Sequence, residues 1–118
     1  PQQLRCAGRQ HELRRDVVAG GSISLSKQGY YGYVAEAPDF DLRYTSGAFR
    51  LTIKVENTDA DTLLLVNAPD GSWHFNDDTN GLDPAVTFSS PMDGLYDIWV
   101  GTFDGNYADA TLVITEMD

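Results

Sequence analysis

Thr62-Leu63-Leu64-Leu65-Val66-Asn67 runs straight into Ala68-Pro69-Asp70-Gly71, and that pair of segments decides the fold. A nearly continuous apolar run leaves no face for water, so the expectation is a central strand buried on both sides or lying near a sheet crossing. Pro69, Asp70 and Gly71 then supply a fixed φ, a side chain that bonds its own backbone, and a tolerance of positive φ, which together make a turn.

Working outward, Ile23 and Leu25 alternate with Ser22, Ser24 and Ser26, and Phe49, Leu51, Ile53 and Val55 alternate with Arg50, Thr52 and Lys54. A period of two belongs to half-buried strands. Further runs lie at Ala85–Phe88, 95–103 and 111–115, and turn signals separate them at 57–61, 91–94 and 104–106. Short strands at this spacing, with no helical stretch between them, give an all-β fold: an antiparallel two-sheet β-sandwich, jelly-roll-like. In the run 95–103, Trp99 falls on the face opposite Tyr96, Ile98 and Val100, so it points outward if Ile98 points to the core.

The chain has 118 residues, enough for one domain with its own core. Its net charge of −10 excludes nucleic acid and anionic membrane surfaces as partners, and no stretch of about 18 apolar residues can span a bilayer. An opening Pro1 in place of Met reads as a processed product. Cys6 is the single cysteine, so an intrachain disulfide is impossible; it is either a free thiol or pairs between chains.

Charge is uneven along the sequence. Residues 1–15 carry a net +3 and the remainder −13, which divides the chain into a basic N-terminal arm over 1–19 and a β-sandwich domain over 20–118. Arg5, Arg9, Arg14 and Arg15 are then candidate contacts to an acidic surface of the same domain or of a neighbour. Residues 10–18, with Leu13 and Val17 four apart, have moderate helical propensity.

The densest chemistry lies after the turn. Asp70, Asp77, Asp78, Asn80 and Asp83 offer hard oxygens beside glycines, as a calcium loop requires, since Ca²⁺ takes about 6 to 8 oxygens at roughly 2.3–2.6 Å. The spacing is not that of an EF-hand. Asp59 with Asp61 and Asp104 with Asn106 are rival sites. Trp73 and Phe75 share one face with His74 on the other; Phe75 is expected to close the end of the sandwich core, while Trp73 and Trp99 are candidates for a protein contact or for stacking on a sugar ring. His11 and His74 are the only histidines, with no Gly-x-Ser-x-Gly context and no His/Cys cluster for zinc. The chain reads as a non-enzyme.

Three segments in order, Asp61-Thr-Leu-Leu-Leu-Val-Asn-Ala-Pro-Asp-Gly71, Ala85-Val-Thr-Phe-Ser-Ser-Pro-Met-Asp-Gly-Leu-Tyr-Asp-Ile-Trp-Val-Gly101 and Ala110-Thr-Leu-Val-Ile-Thr115, resemble the bacterial pre-peptidase C-terminal domain. The resemblance covers about 20–116. It implies a secreted β-sandwich of a kind appended to exported enzymes, related to collagen-binding modules and often calcium-binding. Single-domain exported proteins of this type, similar also over Gly32-Tyr-Val-Ala-Glu-Ala-Pro-Asp-Phe-Asp-Leu-Arg-Tyr44, carry cysteines where this chain has Tyr31 and Phe75. The resemblance therefore implies that Tyr31 lies near Phe75. The expected function is a non-catalytic, secreted, periplasmic or cell-surface module with a calcium-assisted protein interaction. A structural subunit that self-assembles through the arm and a glycan-binding module are the alternatives.

Overall fold

The computed structural model describes residues 2–5, 11–26, 29–30, 32–45, 50–56, 61–77, 84–104 and 106–117, with the backbone alone for 2–5, 11, 45 and 117. Eleven strands follow one another: β1 (Gln2–Arg5), β2 (His11–Ala19), β3 (Ile23–Ser24), β4 (Tyr33–Val34), β5 (Phe40–Thr45), β6 (Arg50–Glu56), β7 (Thr62–Asn67), β8 (Trp73–Asn76), β9 (Ala85–Phe88), β10 (Gly94–Thr102) and β11 (Ala108–Met117). No α-helix occurs among the described residues. The strands form a seven-stranded and a four-stranded sheet, the latter in the order β2-β11-β6-β9, and the two sheets enclose one core. The β-sandwich expected from the alternation is the fold, and its ladders are antiparallel except that β1 runs parallel to β5.

The longest strands organise each sheet. β10 pairs with β7 along one edge, from Asp97↔Asn67 to Thr102↔Thr62. Along the other edge it pairs with β5 over Gly94–Ile98 and with β4 at Thr102↔Tyr33. Beyond β7 lies the short β8, with Leu65↔Phe75 and Asn67↔Trp73 in register. Tyr44, Leu42, Leu64, Val66, Tyr96, Ile98 and Val100 of this sheet meet Leu51, Ile53, Val55, Leu112 and Ile114 of the other, all buried. The Tyr96 hydroxyl donates to the Met92 carbonyl at 2.8 Å, pinning the turn that feeds β10 four residues upstream, as a tyrosine corner does. Gly94 is needed there: its φ is +133°, and a Cβ would stand 2.7 Å from the Pro69 Cβ.

β7 is buried on both faces, as its composition requires. Leu64 and Val66 belong to the inter-sheet core. Leu63 and Leu65 belong to a second cluster with Leu25 and Val34, against which Tyr30, Phe75 and Trp99 pack. That cluster lies on the outside of the seven-stranded sheet, where the chain from β3 to β4 folds back over it. Gly101 permits the approach, because any Cβ there would collide with the Tyr33 carbonyl oxygen.

Two expectations are corrected. The arm over 1–19 is not separate from the sandwich: β2 pairs with β11 for nine residues, from His11↔Glu116 to Ala19↔Ala108, and β1 extends the other sheet. Nor is 10–18 helical in its described part. Leu13 and Val17 face the core at strand period, and a ready ladder on β11 outweighs the small helical preference of this segment. Phe75 also departs from expectation, packing in the outer cluster, whereas His74 points between the sheets and meets Phe88 edge-on at 4.7 Å. Tyr31, its expected neighbour, lies outside the described residues. The adjacent Tyr30 stacks on Phe75, centroids 4.6 Å apart and planes 4° from parallel.

Candidate functional site

The outer face of the seven-stranded sheet can be built row by row from its registers. Side chains of one face recur every second residue, so Asp41 on β5, Asp97 on β10, Asn67 on β7 and Trp73 on β8 form one row. Trp99, Leu65 and Phe75 form the next. The two indoles, on strands separated by β7, meet with centroids 5.5 Å apart and planes inclined at 37°. Trp73 is 51% exposed, and Trp99 is half-buried.

Beside the indoles lies a groove of about 260 Å³, lined mainly by Ile23, Leu25, Tyr30, Val34 and Leu65 and walled at one side by Ala35 and Glu36. Ile23 is 42% exposed and Glu36 is exposed at its rim. Thus the two aromatic residues singled out in the sequence come together on one surface. Asp41 and Asp97 also belong to that surface, and strict alternation in β5 and β10 is the sequence signal that places them there; Tyr30, which lies on neither strand, has no such signal.

Asp41 and Asp97 stand directly opposite each other. The Asp97 carboxyl is held above the usual carboxylate range, first by burial, then by its hydrogen bond to Asp41 and by the Asp41 charge. Oδ1 of Asp41 is buried with no hydrogen-bond partner among the described residues. Asp39 does different work one turn of the pleat away. Where β5 parts from β10, its Oδ2 accepts the Val100 amide at 2.7 Å, replacing a missing strand partner. Burial pushes the Asp39 carboxyl up to about 6, with the Val100 amide opposing the shift.

The calcium candidates are only partly placed. Asp78, Asn80 and Asp83 lie outside the described residues, as does Asp59. Asp70 uses Oδ1 to accept the Ser72 amide at 2.9 Å and the Ser72 hydroxyl at 2.6 Å, which lowers its pKa. That is an Asx turn closing the β7–β8 hairpin. Asp77 follows β8 and is half-buried. Among the described residues no three His, Cys, Asp or Glu side chains converge as a metal site would require. Asp104 bonds the backbone and side-chain amides of Asn106, each at 3.0 Å, so that rival pair also satisfies itself.

Of the four arginines, Arg9 lies outside the described residues and only the backbone of Arg5 is placed. Arg14 reaches Glu56 at 2.7 Å and Glu12 at 3.1 Å, and Arg15 Nη1 donates to the Arg14 carbonyl at 2.9 Å. The arginines at 14 and 15 thus sit on the strand's own sheet.

One arrangement invites comparison with a hydrolase. Asp70, Ser72 and His74 are linked, with the Ser72 hydroxyl 3.0 Å from His74 Nε2. The order is wrong for nucleophilic catalysis. A serine nucleophile must donate its proton to histidine, whereas Ser72 donates to Asp70, so Nε2 of His74 is the donor to Ser72. The linkage fastens a hairpin.

No protein-family model matches the chain, and no curated protein matches it. Among solved structures it is similar to PliG of Aeromonas hydrophila, described as a periplasmic lysozyme inhibitor of g-type lysozyme. The identity is 14%, the TM-score 0.49, and the match covers 98% of this chain and 96% of that chain. At that identity the likeness says nothing of what this chain binds.

Proposed function

We propose that this chain is a non-catalytic binding module, exported from a bacterial cell, that holds a partner protein on the outer face of its seven-stranded sheet. The observation that carries the reading is the Trp73–Trp99 pair over an apolar groove. Aromatic side chains that are half-exposed yet fixed by neighbours bury large area on contact at small entropic cost, which is why they dominate binding surfaces. Export, and membership of the pre-peptidase C-terminal type, are supported by the residue pattern described above. In this proposal Ca²⁺ bound by the acidic segment after β8 assists the protein interaction and is no part of the contact surface. Its check is calorimetric titration of the metal-free protein with Ca²⁺, where neither heat nor a rise in melting temperature would remove the ion from the account.

A photoreactive phenylalanine analogue placed at Trp73 tests the binding surface, with the same analogue at Thr52 on the opposite sheet as control. Cross-linked protein adducts in the source cells should form from position 73, vanish when Trp99 is also changed to Ala, and be absent from position 52. Identical adduct patterns from the two positions would sink the assignment of this face.

A further inference from the structure

We propose that the Trp73–Trp99 groove recognises an arginine side chain presented by an extended segment of the partner, its guanidinium lying against the indoles and facing Asp97 and Glu36. This deepens the binding reading above and rests on it.

The argument begins with an unbalanced surface. Carboxylates directly opposite each other across a ladder repel unless a proton is shared between them, and Asp41 with Asp97 form such a pair on an outer face, keeping net negative charge there. Among the described residues no ion pair joins a Lys or Arg to either carboxylate, whereas Arg14 and Lys54 pair with glutamates on the other sheet. Arg43 is the one basic residue placed on the same face of β5, two residues from Asp41 and opposite Leu95. Asp97 stands beside Trp99 on the same face of β10, and its row ends at Trp73. Glu36 adds a further carboxylate on the groove wall. The chain as a whole carries 18 acidic against 8 basic residues, so the long-range field attracts the same sign of partner.

The aromatic geometry selects within the cations. A guanidinium is planar, weakly hydrated and able to stack on an indole while its edge donates to a carboxylate. An ammonium is a compact, strongly hydrated charge that gains less from a flat aromatic wall. The apolar floor of Leu25, Val34 and Leu65 suits the methylene stem, which gains by leaving water even when the head stays wet. A neutral apolar occupant would leave Glu36 uncompensated on the groove wall and Asp97 uncompensated in the adjoining row, and a nucleic acid or acidic peptide would be repelled.

The test uses four peptides of the form acetyl-Gly-Leu-X-Leu-Gly-amide, with X arginine, lysine, citrulline or alanine, titrated into the intact chain while indole fluorescence and amide chemical shifts are followed. The arginine peptide should perturb Trp73 and Trp99 and bind about tenfold more tightly than the citrulline peptide, a margin within that expected of a charge-assisted contact. Lysine should fall between them. Asp97→Asn should abolish most of the arginine–citrulline difference, and its amide can still donate to Asp41, so its melting temperature should stay close to that of the parent. Trp73→Ala should weaken all four peptides. Equal affinities for arginine and citrulline, with both still lost in Trp73→Ala, would overturn the arginine assignment while leaving the binding face intact. Absence of any response at Trp73 or Trp99 to all four peptides would count against both.

Discussion

On the outer face of the four-stranded sheet, Arg14 bridges Glu12 and Glu56, and Lys54 reaches Glu56 at 3.1 Å. Val113 lies directly opposite both Arg14 and Lys54 in the ladders and is 0% exposed, although it points away from the core. The charged residues neutralise one another and their stems cover the apolar side chain between them. On the outer face of the seven-stranded sheet the apolar side chains are covered by other apolar side chains, and the carboxylates face one another. One face is complete in itself. The other has aromatic area and negative charge left over, which is the physical mark of a surface made for something else to cover.

The first way to break that contrast is to ask whether the outer aromatic cluster is a core in energetic terms. Leu65, 5% exposed under Trp99 and Phe75, should cost about 2–4 kcal/mol when changed to Ala, as buried leucines do. Val113→Ala should cost about 1–2 kcal/mol, because fewer methyl groups are removed and long flexible stems can settle into the space. Urea unfolding measures both. A Leu65→Ala loss no larger than that of Val113→Ala would mean the outer cluster is loosely held and the groove has no fixed shape.

Tyr30 sharpens the same comparison at a smaller scale. Its ring stacks on Phe75 and carries the β3–β4 segment down onto the sheet. Tyr30→Ala should lose about 1–2 kcal/mol from area and ring pairing, while Tyr30→Phe should be close to neutral and leave the Phe75 ring shifts in place. A Phe variant as damaged as the Ala variant would show that the hydroxyl, not the stacking, holds the segment.

How much of this was legible depended on whether a local pattern determined the answer. The double burial of Thr62–Asn67 could be read directly, since four adjacent apolar residues admit no other placement in a sheet. Trp99 could be assigned to the outer face by counting along β10. What covers it could not, because Leu25, Tyr30 and Val34 arrive from a segment more than sixty residues away in the sequence. β2 was illegible for a related reason. With Glu12, Arg14, Arg15 and Asp16 exposed, it has little alternation of its own, and β11 supplies the partner that makes it a strand. The acidic loop shows the opposite failure. Its composition suggested an ion, yet Asp70 is consumed by the turn it closes, since aspartate ligates metals and caps turns with the same oxygens.

Titration separates Asp39 and Asp97 from Glu56 by sign. Asp39 has a folded pKa of about 6 against an ordinary value of 3.8, so the folded state holds the proton more tightly than the unfolded chain. Its contribution to stability is full below about 3.8 and is lost as pH rises to about 6. Asp97, also raised, acts in the same direction. Glu56 is lowered from 4.5, first by Arg14 and then by Lys54, so its contribution is present above 4.5 and lost as pH falls through its folded value. Asp39→Asn should flatten the decline in melting temperature between about pH 4 and 6, and Glu56→Gln should change only the acid side. A decline through pH 4–6 that is as steep in Asp39→Asn as in the parent would exclude the Val100-bound carboxylate as its source.

The smallest effect expected is at Arg14, and it distinguishes a charge role from a covering role on the completed face. Exposed ion pairs in water contribute little because solvent and salt screen them and two long side chains must be held still. If the four-stranded sheet's outer face owes its order to the Arg14–Glu56 charge pair, Arg14→Met should be as harmful as Arg14→Ala, and added salt should harm the parent alike. If it owes its order to the stem over Val113, Arg14→Met should match the parent, Arg14→Ala should fall slightly below it, and salt should matter little. The second pattern is the one expected, since Val113 is fully covered while Arg14 is exposed and Glu56 is open to solvent over about a third of its side chain. Thermal melts of the three proteins at low and high salt decide it, and the first pattern would mean that the two outer faces differ less than their geometry implies, each depending on the balance of charge.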